Sequence, residues 1–246
     1  MPPEREVRLA VIGDIHAHWA RLDAVLARLA SEPLDGILLV GDLGSHDLSY
    51  VWRRSPARDA RYLASVEEVL RRTRAVHEHV LYVPGNHDLP TLDFPGNVDG
   101  RVAEIAGLRI GGIGGAGPGR FRFAYEWDED EIRARPALDC DVLLCHTPPA
   151  RTALDLLHDG ATHVGSEAIR ERALAHAGVL VCGHIHEAAG FVQLGLCMCA
   201  NFGALGEPFG RAQVGFVKFA SGTRGGYLVS RSDFERDETH SRWREA

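Results

Sequence analysis

Val7-Arg8-Leu9-Ala10-Val11-Ile12-Gly13-Asp14-Ile15-His16 is the stretch that decides the fold. The run Val7 to Ile12 is short and apolar, as a buried strand is, and it breaks at a polar Gly-Asp turn. Asp14 and His16 sit on alternate residues, so extended backbone points both side chains the same way. Outward from there, Trp19 to Leu29 places Leu22, Val25, Leu26 and Leu29 on one helical face. Gly36 to Val40 reads as a second buried strand ending at Gly41-Asp42. A connection from Gly44 to about Arg61 follows, carrying Trp52, Arg53, Arg54, Arg58 and Arg61. Leu63 to His77 is helical by period, and Val80 to Val83 is a third strand ending at Pro84-Gly85-Asn86-His87-Asp88. This βαβαβ opening predicts right-handed crossovers and a parallel sheet, with ligands gathering at its carboxyl edge. Three strands in a row end in Gly plus Asp or Asn.

The second half predicts strands at Arg101 to Ile105, Leu108 to Ile113, Val142 to Cys145 and Val179 to Cys182. Helices are expected over Asp128 to Arg135 and from a Ser166 cap to Ala177. The strand at Val142 runs into His146, and the strand at Val179 into Gly183-His184-Ile185-His186. Gly190 to Leu194, Leu196 to Ala200, Val214 to Phe219 and Gly226 to Val229 read as successive antiparallel strands. The glycine-rich stretch Gly111 to Gly119 lacks the lysine and spacing of a P-loop. Residues 1–230 are expected to form one domain, followed by a charged, frayed tail over 231–246.

Composition bounds the function. Hydrophobic residues are 45% and charged ones 25%, as in an ordinary globular protein, and no apolar stretch nears the roughly 20 residues of a membrane span. The polar opening Met1-Pro2-Pro3-Glu4-Arg5-Glu6 is not that of a signal peptide. A formal charge of -7 argues against a long nucleic acid as partner but not against a small nucleotide, because bound cations invert the local potential. Five cysteines in mostly apolar runs read as buried free thiols of a reducing cytoplasm, and Cys197 and Cys199 as packing residues rather than a metal pair.

Carboxylate, imidazole and amide oxygen collect at the strand ends: Asp14 and His16, Asp42, Asn86, His146, then His184 and His186. Such a mixture suits Mn, Fe, Zn, Ni or Co and does not suit an all-oxygen Ca²⁺ site. The ordered set Gly13-Asp14-x-His16, Gly41-Asp42, Gly85-Asn86-His87-Asp88, His146 and Gly183-His184-x-His186 resembles the calcineurin-like metallophosphoesterase superfamily, small bacterial members in particular. Asn201-Phe202-Gly203-Ala204-Leu205-Gly206 further resembles the Asn-Pro-Gly-Ser segment of bacterial members, with Phe202 in place of Pro.

The resemblance implies an α/β fold, a four-layer α/β/β/α sandwich of two mixed sheets flanked by helices. It implies one metal on Asp14, His16, Asp42 and His186, and a second on Asp42, Asn86, His146 and His184, with Asp42 bridging. Two cations ~3.5–4 Å apart share a hydroxide that attacks a phosphate ester in line. His87 resembles the histidine that protonates the leaving oxygen, with Asp88 or Asp47 as the group that orients it. The substrate class implied is a small phosphomonoester or phosphodiester, a nucleotide included. Ser45 and His46 stand where protein-phosphatase members carry Asp and Arg, which weighs against a phosphoprotein.

Blander readings accompany these. Asp14 and Asp42 singly could be turn formers, and the arginines from 53 to 61 a solvated face. His18 follows the first ligand pair directly, and His163-Val164-Gly165-Ser166 reads either as a helix N-terminus aimed at phosphate or as a plain cap. The rival from another class is a non-catalytic scaffold of the same fold that binds a protein partner.

Overall fold

In the computed structural model the apolar run Val7–Ile12 forms β1, from which two cores are packed at once. Ala10 and Ile12 point to one face and Leu9 and Val11 to the other, and all four are buried, because the strand is covered on both sides. The structure describes residues 6–45, 54–119, 121–205, 212–219, 227–236 and 241–245. Beside β1 lie β2 (Gly36–Leu39) and β3 (Val80–Tyr82), both parallel, as the βαβαβ pattern predicts. Helix α1 (Trp19–Leu29) buries Leu22, Val25, Leu26 and Leu29.

Helix α2 (Pro56–Val76) starts earlier than its period predicts. Ser55 caps it by accepting the Arg58 amide at 3.3 Å, and Pro56 occupies the first turn. That turn carries no large apolar residue before Tyr62, so periodicity does not register it. His46, Asp47, Trp52 and Arg53 lie outside the described residues.

The second sheet comprises β4 (Val102–Ile105), β5 (Leu108–Ile113), β6 (Val142–Cys145), β7 (Val179–Cys182), β8 (Gly190–Leu194) and β9 (Cys197–Asn201), in the order β4-β5-β6-β7-β9-β8. Helix α3 (Glu129–Ala134) is closed by a capping box between Asp128 and Glu131, and α4 (Glu167–Ala175) by Ser166. Of the four successive antiparallel strands expected, the first two pair with each other and the last two pair with each other, but the link between the two pairs fails. β8 and β9 form an antiparallel hairpin, but β9 pairs parallel with β7, and β10 (Ala212–Phe219) crosses to the other sheet, antiparallel to β1. Ahead of this crossing the Leu205 amide reaches the Gly13 carbonyl. Alternation identifies a strand, but buried partners far along the chain choose its neighbours.

The frayed tail is also corrected. β11 (Tyr227–Arg236) and β12 (Ser241–Glu245) extend the first sheet, whose order is β12-β11-β10-β1-β2-β3. Main-chain groups make the ladder, so a charged sequence limits burial and not pairing.

The layers follow from three cores. Helices α1 and α2 pack Leu22, Val66 and Leu70 on the outer face of the first sheet. The inner faces meet through Leu9, Val11, Leu38 and Val40 against Val142, Leu144, Val179 and Val181. Helices α3 and α4 bring Ile132, Ile169 and Ala173 to the outer face of the second sheet, beside Cys140, Cys145, Cys182, Cys197 and Cys199. All five cysteines are free and buried, with the Cys197 and Cys199 sulfurs 3.7 Å apart. This is the α/β/β/α sandwich. Among the described residues no helix is long and apolar enough to cross a membrane.

Candidate metal centre

The ends of β1, β2, β3, β6 and β7 bring their polar residues to one edge of the sandwich. Backbone there is bent unusually: Asp14, His16 and Ala17 have φ of 47°, 47° and 53°, Asp42 has 52° and His184 has 68°. Left-handed conformations cost of order 1–3 kcal/mol each for residues with a Cβ, and they persist where surrounding structure imposes them. The preceding glycines show how tightly the loops approach. A Cβ on Gly85 would lie 2.0 Å from Asp42 Oδ1, one on Gly183 2.4 Å from Asp14 Oδ2, and one on Gly41 2.4 Å from His146 Nδ1. The repeated glycine before each polar residue is thus a requirement of close approach, beyond an ordinary turn preference.

Asp42 stands at the middle. Its Oδ2 is 3.6 Å from His16 Nε2 and 3.5 Å from His146 Nε2, and its Oδ1 accepts the His87 amide at 2.9 Å. The Val40 carbonyl accepts His146 Nδ1–H at 2.8 Å, which aims Nε2 at Asn86 Oδ1, 2.8 Å away. His186 Nε2 lies 3.1 Å from Asp14 Oδ1, while Asp14 Oδ2 accepts the His184 amide at 3.0 Å. The His146 and His184 rings are 5.0 Å apart. Two groups, Asp14 with His16 and His186, and Asp14 with Asp42 and His146, each hold their ligand atoms within 4.8 Å of one another.

The electrostatics call for a cation. Burial opposes charge on Asp14 and Asp42, yet His186 holds Asp14 low and His146 and His87 hold Asp42 well below the usual carboxylate range. Burial likewise opposes charge on His146, but the Asp42 carboxylate outweighs it and raises that imidazole to about 9. His184, buried and next to His146, is pushed down to about 3. Two buried carboxylates therefore stay ionised only by enforcing positive charge on their neighbours. The residues fit a divalent metal, which would supply that charge and leave the imidazoles neutral.

A family model described as calcineurin-like phosphoesterase matches residues 7–188. The chain belongs to that family. One solved chain aligns at a TM-score of 0.71, with 16% identity over 92% of this chain and 98% of the other. TT1561 of Thermus thermophilus aligns at 0.55, with 16% identity over 92% and 98%. GAP50, described as the anchor in the inner membrane complex of Plasmodium, aligns at 0.54, with 10% identity over 98% and 88%. At such identities these likenesses speak for the fold. No curated protein sequence matches the chain.

All seven expected ligand positions meet at the one edge. His87 lines the same cavity, 5.3 Å from the His16 ring between centroids. Asp88, expected to orient His87, is instead fully buried and bonded to other groups. Its carboxylate accepts the amides of Leu43 at 3.0 Å and Gly85 at 2.7 Å, that of Gly44 at 3.4 Å, and the Tyr62 hydroxyl. An acceptor surrounded by donors is anchored, so Asp88 is a positioning residue for the two loops. Tyr62 gives only a core signal in the sequence, and nothing there points to this role.

The helix-terminus reading at His163 also fails. The α4 amides of Glu167 and Ala168 are taken by the Glu129 carboxylate, and His163 Nδ1 pairs with buried Asp155 at 2.7 Å. His18 precedes α1 without a side-chain cap bond. Arg54 pairs with Asp59 on the first turn of α2, the solvated arrangement. Asn201, at the end of β9, acts on the site from behind. Its Nδ2 donates to the Ile185 carbonyl at 2.9 Å and its Oδ1 accepts the Gly203 amide at 2.8 Å, holding the segment that carries His184 and His186.

Proposed function

We propose that this chain is a dinuclear metal-dependent phosphoesterase that hydrolyses a small phosphomonoester or phosphodiester. The observation that carries this reading is Asp42, whose one carboxylate oxygen faces His16 on one side and His146 on the other at 3.6 and 3.5 Å. Asp14, His16, Asp42 and His186 would hold one ion, and Asp42, Asn86, His146 and His184 the other, with Mn, Fe, Zn, Ni and Co all compatible with the donors. A metal pair held there would supply positive charge to the phosphoryl oxygens and lower the pKa of the attacking water.

The chain's own groups do the rest. His87 lies on the cavity wall, 8% exposed, where its imidazole can protonate the departing oxygen. Its backbone amide meanwhile fixes Asp42, so one residue both orients a ligand and faces the substrate. Asn86 Oδ1 brings a neutral donor to the site, which leaves the cations more electron-poor than a further carboxylate would. A cytoplasmic location, where five buried thiols stay unpaired, belongs to the same proposal. The scaffold alternative has a relative in GAP50, whose description is an anchor. Seven converging ligand positions and His87 favour catalysis over it.

The test is turnover of p-nitrophenyl and phenyl phosphates, and of their methyl diesters, by Mn²⁺-reconstituted protein and by His87→Ala. Metal-dependent turnover of at least one series is expected, with a loss of roughly 10²- to 10⁴-fold in the variant. The loss should be larger for phenyl esters, whose leaving oxygen needs its proton more. No turnover by metal-loaded protein would favour the scaffold.

A further inference from the structure

The cavity over the ligand edge has a volume of about 660 Å³, far more than a phosphate group fills. Ligand side chains and His87 line it together with apolar groups, among them Phe121, Phe123, Leu157 and Val164, and with Glu126 and Glu187. The Phe123 ring lies 4.1 Å from the His87 ring between centroids, tilted by 42°, and Phe121 follows at 6.0 Å from Phe123. Phe121 is 65% exposed, so its ring is open to a ligand in the cavity.

The aromatic segment is held in place by its own bonds. The Glu126 carboxylate accepts the amides of Phe121 at 3.1 Å and Arg122 at 3.0 Å, closing a turn in which Arg122 has a φ of 60°. Below it, Trp127 is buried and donates its indole N–H to the Gly114 carbonyl at 2.9 Å. Tyr125 donates its backbone amide to the Asn86 carbonyl at 3.0 Å, so the turn is tied to a ligand residue. The segment that bears the two phenyl rings is thereby held against Asn86, with Phe123 beside His87.

From this juxtaposition we infer that the alcohol side of the substrate carries an aromatic or heteroaromatic ring, which packs on Phe123 and Phe121 while His87 meets the ester oxygen. The inference rests on the phosphoesterase reading and adds a substrate class to it: aryl or nucleoside phosphate esters rather than aliphatic ones. Offset rings gain from their quadrupoles beyond the area they cover, and bases stack on phenyl groups without regard to sequence.

Binding of non-hydrolysable ligands to the metal-loaded protein tests this without turnover. Calorimetry compares phenylphosphonate with cyclohexylphosphonate, equal in size but not aromatic, as the aryl arm. The methylene-phosphonate analogues of adenosine 5′-phosphate and ribose 5-phosphate form the nucleoside arm. The ring-bearing member is expected to bind roughly three- to tenfold tighter in at least one arm, and the arm with the larger ratio names the source. In Phe121→Leu and Phe123→Leu, which keep an apolar side chain and whose metal content and melting are measured alongside, that ratio should fall towards one. Equal binding of ring and non-ring ligands in both arms, or a ratio unchanged in both variants, overturns the inference while leaving hydrolysis of simple esters standing. Failure to bind metal, or to hydrolyse any ester, overturns both.

Discussion

Asp88 accepts the backbone amide of Leu43 at 3.0 Å, across 45 residues of sequence. Through it the loop carrying Asp42 is fastened to the loop carrying Asn86, since the same carboxylate also takes the Gly85 amide. Asp88→Asn replaces an all-acceptor group by one whose NH₂ faces amide donors. The expected result is a loss of about 1–3 kcal/mol in stability and of roughly 10- to 100-fold in metal affinity, read by thermal melting and metal titration. Tyr62→Phe should lose less, about 0.5–1.5 kcal/mol, having removed a single donor. If Asp88→Asn kept full metal affinity yet lost activity, Asp88 would belong to the proton transfer after all.

The close glycines give a second outcome. Gly85→Ala and Gly183→Ala each press a methyl group against a ligand carboxylate, at 2.0 and 2.4 Å, so the loops must separate. Metal retention after gel filtration should drop at least about tenfold, as for a displaced ligand shell. Gly190→Ala, whose nearest neighbour would be Leu154 at 3.8 Å, should retain its metal. Equal retention in all three would show that the approach of the loops is not needed for binding.

Away from the centre, His176 sets a pH dependence. It follows α4, with Asp141 nearby, and burial lowers its pKa below 6.5. The folded state therefore prefers the neutral ring. Its stability is full above pH 6.5 and declines as pH falls from there through the lower folded value. Melting temperatures of metal-loaded wild type and His176→Gln should therefore converge or cross in favour of the variant between about pH 7 and 5. A constant difference across that range would contradict the assignment.

Asn201 supplies a fourth case. Asn201→Ala leaves the buried Ile185 carbonyl and Gly203 amide without their side-chain partner. About 1–3 kcal/mol of stability should be lost, together with metal affinity, because the loop bearing His184 and His186 is released. Loss of stability with metal affinity intact would restrict Asn201 to a packing role.

The pattern of the sequence reveals what local physics governs. Val7 to Ile12 is apolar on both faces because two cores meet it, and the residues after each strand are polar because they face an edge. Asp14, His16, Asp42, Asn86, His146, His184 and His186 are therefore visible as a set. Pairing is legible only in part: β10 pairs with its successor β11 but also with β1, at the other end of the chain, and alternation carries no information on the latter. The start of α2 escapes for want of large apolar residues before Tyr62. Asp88 misleads because adjacency to His87 in sequence says nothing of direction, and its partners Leu43, Gly44 and Tyr62 come from elsewhere. The aromatic wall at Phe121 and Phe123 lies in a loop without periodicity, and only the fold places it over the ligands.

In the proposed centre one carboxylate, that of Asp42, serves two ions. Anomalous diffraction from crystals grown with Mn²⁺, with elemental analysis of the same protein, measures it directly. Two ions per chain are expected, one on either side of Asp42, with loss of at least one in Asp42→Ala. A single ion, or two ions that remain without Asp42, would contradict it.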